Sequence, residues 1–124
     1  MAWQLARQFK LEVYRVVRAT SEANRDFEYR QQLFGAAASG EANIAEGFHR
    51  FAPAEFAHFL AIARGSIGEA KVRLIDGIDR GYLSAPDCVR ALNLGNRAIG
   101  CVTSLKVSLE PFITRKPPRK PGRP

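Results

Sequence analysis

At 124 residues the chain has the length of one ordinary domain, and 46% hydrophobic residues suffice for a core without disulfides or a structural metal. No apolar run approaches the roughly 18–20 residues of a membrane span, and residues 1–7 lack a basic region followed by an apolar stretch, so neither an anchor nor a secretory leader is expected and a cytoplasmic location follows. Nineteen Lys plus Arg against 12 Asp plus Glu give a formal net charge of +7, which directs attention to anionic partners.

Four helical segments are expected and no strand, because no stretch sustains period-two alternation. The first covers about residues 2–20. Trp3, Ala6, Phe9, Val13, Val16 and Val17 recur at three- and four-residue steps on one face, while Arg7, Lys10 and Arg18 share another. The polar stretch 20–26 reads as a loop. The second segment, about 28–48, carries Leu33, Phe34, Ala37, Ile44, Ala45 and Phe48 on its apolar side. Its middle holds Gly35 and Gly40, each costing about 1 kcal/mol relative to Ala in a helix; close approach of a neighbouring helix is the expected compensation.

The third segment, about 53–80, opens on Pro53, which suits a first helical turn. Phe56, Phe59, Leu60, Ala63, Ile67, Ala70, Leu74 and Ile78 form its stripe, and Gly81 is the expected stop. Ser84 reads as the N-cap of the fourth segment, with Asp87 three residues on. That segment covers about 85–113 with Val89, Leu92, Ile99, Val102, Leu105, Leu109 and Ile113 on its core face, and Pro111 and Pro117 mark where it must stop. Four amphipathic helices with short connections imply an all-α, antiparallel up-down-up-down four-helix bundle over residues 1–113. Leu11, Tyr14, Ile62, Val72, Ile75, Leu94 and Val107 lie off the stripes, which suggests either a broader core or a subunit interface.

Cys88 and Cys101 fall on one helix 13 residues apart, roughly 20 Å at about 1.5 Å rise per residue, too far for a disulfide. Residues 114–124 read as a disordered, Pro-rich basic tail. Arg115, Lys116, Arg119, Lys120 and Arg123 give it five positive charges and no negative ones; without them 14 basic residues face 12 acidic ones. Such a polycation contacts phosphates without a shaped site and gains by counterion release; the alternative is a solubility segment with no partner.

Asn43-Ile44-Ala45-Glu46-Gly47-Phe48, preceded by Ser39, resembles the signature of the proteins encoded in intervening sequences of bacterial 23S ribosomal RNA genes, a four-helix-bundle family similar to the accessory variability determinant (Avd) proteins of diversity-generating retroelements. The stretch from Phe59 to Glu69 is similar to that family's third-helix motif, and Gly81-Tyr82-Leu83 to the turn after it; Trp3 and Tyr14 match its first-helix aromatics. Gly40 and Glu41 depart from the pattern, where family members carry an apolar residue and a proline. The resemblance implies a homopentameric ring and, for the retroelement members, a basic surface that binds nucleic acid and a partner reverse transcriptase. It implies no catalytic residues.

Ser39, Asn43 and Glu46 fall at i, i+4 and i+7 on one helix face. The expected role is structural: Asn43 bonds a neighbouring helix and Glu46 pairs with Arg64, beside Gly47 at the segment's end. A ligand site using Glu46 is the alternative. Glu46-x-x-His49 and Glu55-x-x-His58 match the di-iron bundle pairs in spacing, with Glu12 and Glu110 as candidate further ligands, but they lie nine residues apart across a turn; no metal or other cofactor is expected. No nucleophile–base arrangement or phosphate-binding loop is present, so no enzymatic activity is expected. Two function classes remain. The first is nonspecific RNA or DNA binding through Arg7, Lys10, Arg18, Arg90, Arg97 and the tail cations. The second is an oligomeric scaffold that docks a protein such as a reverse transcriptase.

Overall fold

A computed structural model describes residues 1–113; the basic tail lies outside the described residues. Five α-helices follow in order: α1 (Ala2–Arg18), α2 (Ser21–Arg25), α3 (Phe27–Phe48), α4 (Pro53–Asp79) and α5 (Ala85–Leu109), then a 3-10 turn at Glu110–Phe112. The four long helices make the expected bundle. α1 packs on α3 and α5, and α4 closes the opposite side against the same two. The described residues contain no strand.

The stretch expected as a loop contains α2 instead. Thr20 is extended and Ala23 is fully buried, so this single turn seals the bundle end with its one apolar side chain. Asp26 ends α2 and caps α3: its Oδ1 accepts from the Tyr29 backbone N–H at 3.1 Å, and its Oδ2 accepts from the Tyr82 hydroxyl at 2.8 Å. The cap thereby ties the start of α3 to the α4–α5 turn, where Gly81 takes φ +78°, a conformation open to glycine. The other boundaries move little. α5 stops at Leu109, short of the expected 113, because Pro111 cannot donate to a continuing helix.

The Tyr29 backbone N–H, then the Tyr82 hydroxyl and the nearby Arg80 guanidinium, hold the Asp26 carboxyl below its ordinary value. A depressed folded-state value means that its contribution is fully present above about pH 4, the unfolded range for Asp, and is lost as pH falls through the folded value. Asp26→Ala is therefore expected to lower the urea midpoint more at pH 7 than at pH 2. Equal losses at both pH values would contradict this role.

Phe9, Val13 and Val17 of α1, Leu33 and Ile44 of α3, Leu60, Ile67 and Leu74 of α4, and Cys88 and Val102 of α5 are fully buried. On α5 the innermost line differs from the expected one. It runs through Cys88, Ala91, Gly95 and Ala98 to Val102, which lies in the core as expected, while Val89 is 54% exposed and Leu92, Ile99 and Leu105 are half-buried. Small residues sit innermost because α5 lies close to α1: a Cβ on Gly95 would come within 3.0 Å of Phe9 Cε1. Phe48, expected in the core, is 56% exposed at the end of α3. Of the off-stripe residues, Leu94 is buried and Tyr14 packs against Phe34 with tilted rings and centroids 4.4 Å apart, whereas Leu11, Ile62, Val72, Ile75 and Val107 are exposed. Both cysteines are free thiols, Cys88 buried and Cys101 half-buried; burial pushes the Cys88 thiol up, away from the reactive thiolate.

Candidate nucleic-acid interface

The cations proposed from sequence divide between two sides of α1. Arg7, Lys10 and Arg18 line its border with α3. There Glu41, nearly buried, accepts from Arg7 Nη1 at 3.3 Å on Oε1 and forms an ion pair with Lys10 Nζ through Oε2. Oε2 is sealed from solvent and no donor is aligned with it for a hydrogen bond, so the Lys10 charge alone balances it. Arg18 lies over the rings of Tyr14 and Phe34 at 5.3 and 5.8 Å. Arg7 and Lys10 are thus occupied as counter-ions, and Arg18 as a lid on two aromatics. The missed feature was Glu41. Sequence spacing places acids on helices but does not show which helix border they enter.

Arg90 and Arg97 belong to the α1–α5 border. Arg90 Nε is 3.6 Å from Glu12 Oε2, and Arg15 Nε donates to both Glu12 oxygens at 3.1 Å. The Arg15 hydrogen bonds, then the Arg15 and Arg90 charges, hold the Glu12 carboxyl low despite its burial. Arg90 and Arg97 flank a shallow groove of about 430 Å³ with Gln8, Val89 and Asn93. Arg97 also borders a second groove of about 790 Å³, lined by Met1, Leu5, Phe48, Cys101 and Leu105, which is mostly apolar. Arg97 has no carboxylate within 4 Å among the described residues.

The motif residues at the end of α3 make contacts that differ from those expected. The hydroxyls of Ser39 and Ser66 meet at 2.8 Å across the α3–α4 border. Asn43 does not reach another helix: its Nδ2 donates to the Ser39 carbonyl at 2.8 Å and to Ser39 Oγ at 3.0 Å. Glu46 does not pair with Arg64. It is exposed and takes Arg50 Nη2 at 2.5 Å. Arg64 follows buried Ala63 by one residue, about 100° round the helix, and faces solvent. Gly47 and Gly40 permit the helices to close. A Cβ at Gly47 would lie 2.9 Å from Phe56 Cδ1, and one at Gly40 would lie 2.6 Å from Ile67 Cγ1. That close approach meets the expectation for the small-residue middle of α3 at Gly40 but not at Gly35, where a Cβ would meet nothing within 4 Å.

The Glu-x-x-His residues are scattered. His49 Nδ1 is 2.7 Å from the Ala45 carbonyl, His58 lies edge-on to Phe59, and Glu12 is held by arginines. Among the described residues no three of His, Cys, Asp and Glu are grouped to hold a metal ion, and no helix is long and apolar enough to cross a membrane.

The family described as "23S rRNA-intervening sequence protein" matches residues 1–101. The chain belongs to that family. Its fold is shared by a protein of unknown function from the S23 ribosomal protein family of Bacteroides thetaiotaomicron, solved as a crystal structure. The two superpose with a TM-score of 0.78 at 18% identity, covering 86% of this chain and 98% of that one. No curated protein matches. The family match ends at residue 101, within α5.

Proposed function

We propose that this intervening-sequence family protein is a cytoplasmic, non-catalytic assembly of identical bundles that binds RNA or DNA without sequence preference. The observation that carries the reading is the charge distribution. Five of the 19 basic residues fall in the last ten positions with no acidic residue among them. The α1 cations Arg7 and Lys10 meanwhile share the single carboxylate of Glu41. Phosphate contact therefore belongs to Arg115, Lys116, Arg119, Lys120 and Arg123, aided on the bundle by Arg90 and Arg97. The assembly that accords with the family resemblance is a homopentameric ring.

Removing residues 115–124 tests this. Five phosphate contacts to a single strand contribute about −3.5 to the slope of log affinity against log salt. The truncated protein is expected to lose most of that slope and at least about tenfold in affinity at low salt. Fluorescence anisotropy with labelled RNA and DNA oligomers reads both. Unchanged binding removes the tail from the function, and no binding by the intact chain at low salt overturns the reading.

A second reading, a scaffold that docks a protein partner such as a reverse transcriptase, is favoured by the apolar groove between Met1, Leu5, Phe48, Cys101 and Leu105. It requires no nucleic-acid contact, so the same titrations distinguish the two.

A further inference from the structure

α4 carries two apolar faces, and the bundle uses one. Leu60, Ala63, Ile67, Ala70 and Leu74 point into the core. On the opposite side Ala61, Gly65, Gly68, Val72 and Ile75 succeed one another at steps of four, three, four and three residues. This is the 3.5-residue repeat of a coiled-coil seam. Val72 is 65% exposed and Ile75 47%, and a Cβ added to Gly65 or Gly68 would meet nothing within 4 Å. Glycine inside a helix costs stability, and no contact within the bundle uses the space these two leave open. It is space for the backbone of another helix to approach.

The residues flanking the seam say which helix. In the register that places Gly65 and Val72 at a and Ala61, Gly68 and Ile75 at d, the e positions are Ile62, Glu69 and Asp76 and the g positions are Ala57, Arg64 and Lys71. One flank is acidic and the other basic. In a parallel pair, each g residue meets the e residue five positions on in the partner. Arg64 then meets Glu69 of the second copy, Lys71 meets Asp76, and Ala57 meets Ile62. An antiparallel pair sets g against g and e against e, bringing like charges together. Arg64 and Lys71 have no carboxylate within 4 Å among the described residues, while Glu69 and Asp76 hold only exposed i,i+4 partners, Arg73 and Arg80.

We propose that the outer seam of α4 is a docking face for a second copy of this chain, with the two α4 helices parallel and in register. The proposal rests on the reading that copies assemble, and it names a face for that assembly. The contact is two-fold, unlike the head-to-tail contact that closes a five-membered ring, so it acts beside such a ring rather than within it.

A Val72→Cys variant in a Cys101→Ser background tests the face and the direction together, because an in-register parallel pair brings the two introduced thiols opposite each other. Mild oxidation is expected to give a disulfide-linked dimer. Adding Arg64→Glu with Lys71→Glu, or Glu69→Lys with Asp76→Lys, leaves each variant with two flanks of one sign, and crosslinking should slow at least tenfold. Mixing the two charge variants should restore it as a heterodimer, identified by mass, which neither variant would give had it failed to fold. Light scattering on the unmodified chain separates the failures. Larger species without Val72→Cys crosslinking, or with crosslinking blind to the charge changes, overturn the α4 face alone. A monomer at every concentration overturns the assembly reading with it.

Discussion

Phe9→Ala is expected to lower the unfolding free energy by about 3–5 kcal/mol. The Phe9 side chain is fully buried in α1, and its ring reaches the glycine gap in α5, where even one added carbon on Gly95 would come within 3.0 Å of it. Neighbours that close around an aromatic ring cannot collapse into the space it leaves, so the loss of burial and the cavity both count. Domains of this size have about 5–15 kcal/mol in total, so the variant should stand near the edge of stability. Val89 provides the contrast. Its place in the apolar periodicity of α5 puts it in the core as firmly as Phe9, yet it is 54% exposed, and Val89→Ala should change stability by no more than about 0.5 kcal/mol. Urea denaturation of the two variants measures the difference. Equal effects would mean that the α1–α5 border does not pack as described.

Lys10→Met is the second large change expected, at about 2–4 kcal/mol. Lys10 and Glu41 are largely shielded, with 17% and 11% of their side chains exposed. Removing the ammonium leaves Glu41 Oε2 sealed from solvent with no aligned donor and only the half-exposed Arg7 on Oε1 to offset it, and a buried charge stripped of its nearest partner costs more than the pair itself contributes. Adding Glu41→Leu should therefore recover most of the loss, because both ionic groups are then gone. Arg7→Ala should cost much less, since Arg7 is 47% exposed and its pairing is screened. A double variant no more stable than Lys10→Met would show that the buried carboxylate is not the source of the cost.

The Lys10–Glu41 pair also shows where sequence reading stops. Helix periodicity placed four of the five helices, the stop at Gly81 and the cap at Ser84, because these depend on residues within a few positions of one another. The facing of charges across helices depends on crossing geometry. Glu46 and Arg64 had suitable types and separation, yet Arg64 sits one residue past a core position and points outward. Glu41 stood out only as a departure from the family pattern, and nothing local revealed that it would take Arg7 and Lys10 from the candidate interface. α2 was hidden for a different reason. A single turn with one buried alanine has no periodicity to read. On α5 the large apolar side chains drew attention from the Ala91–Gly95–Ala98 line, which lies innermost because α1 approaches it so closely.

The join between α3 and α4 bears on the order of folding. Only residues 49–52 separate these helices, and contacts such as Ser39 with Ser66 and Gly40 with Ile67 link positions 27 residues apart. The α1–α5 border, by contrast, unites the two ends of the bundle: Gly95 meets Phe9 only after the intervening chain is in place. Closing the shorter loop loses less chain entropy. The α3–α4 hairpin is therefore expected to form before the α1–α5 border, so substitutions at Gly40 or Ile67 should slow folding while those at the Phe9–Gly95 contact should mainly speed unfolding.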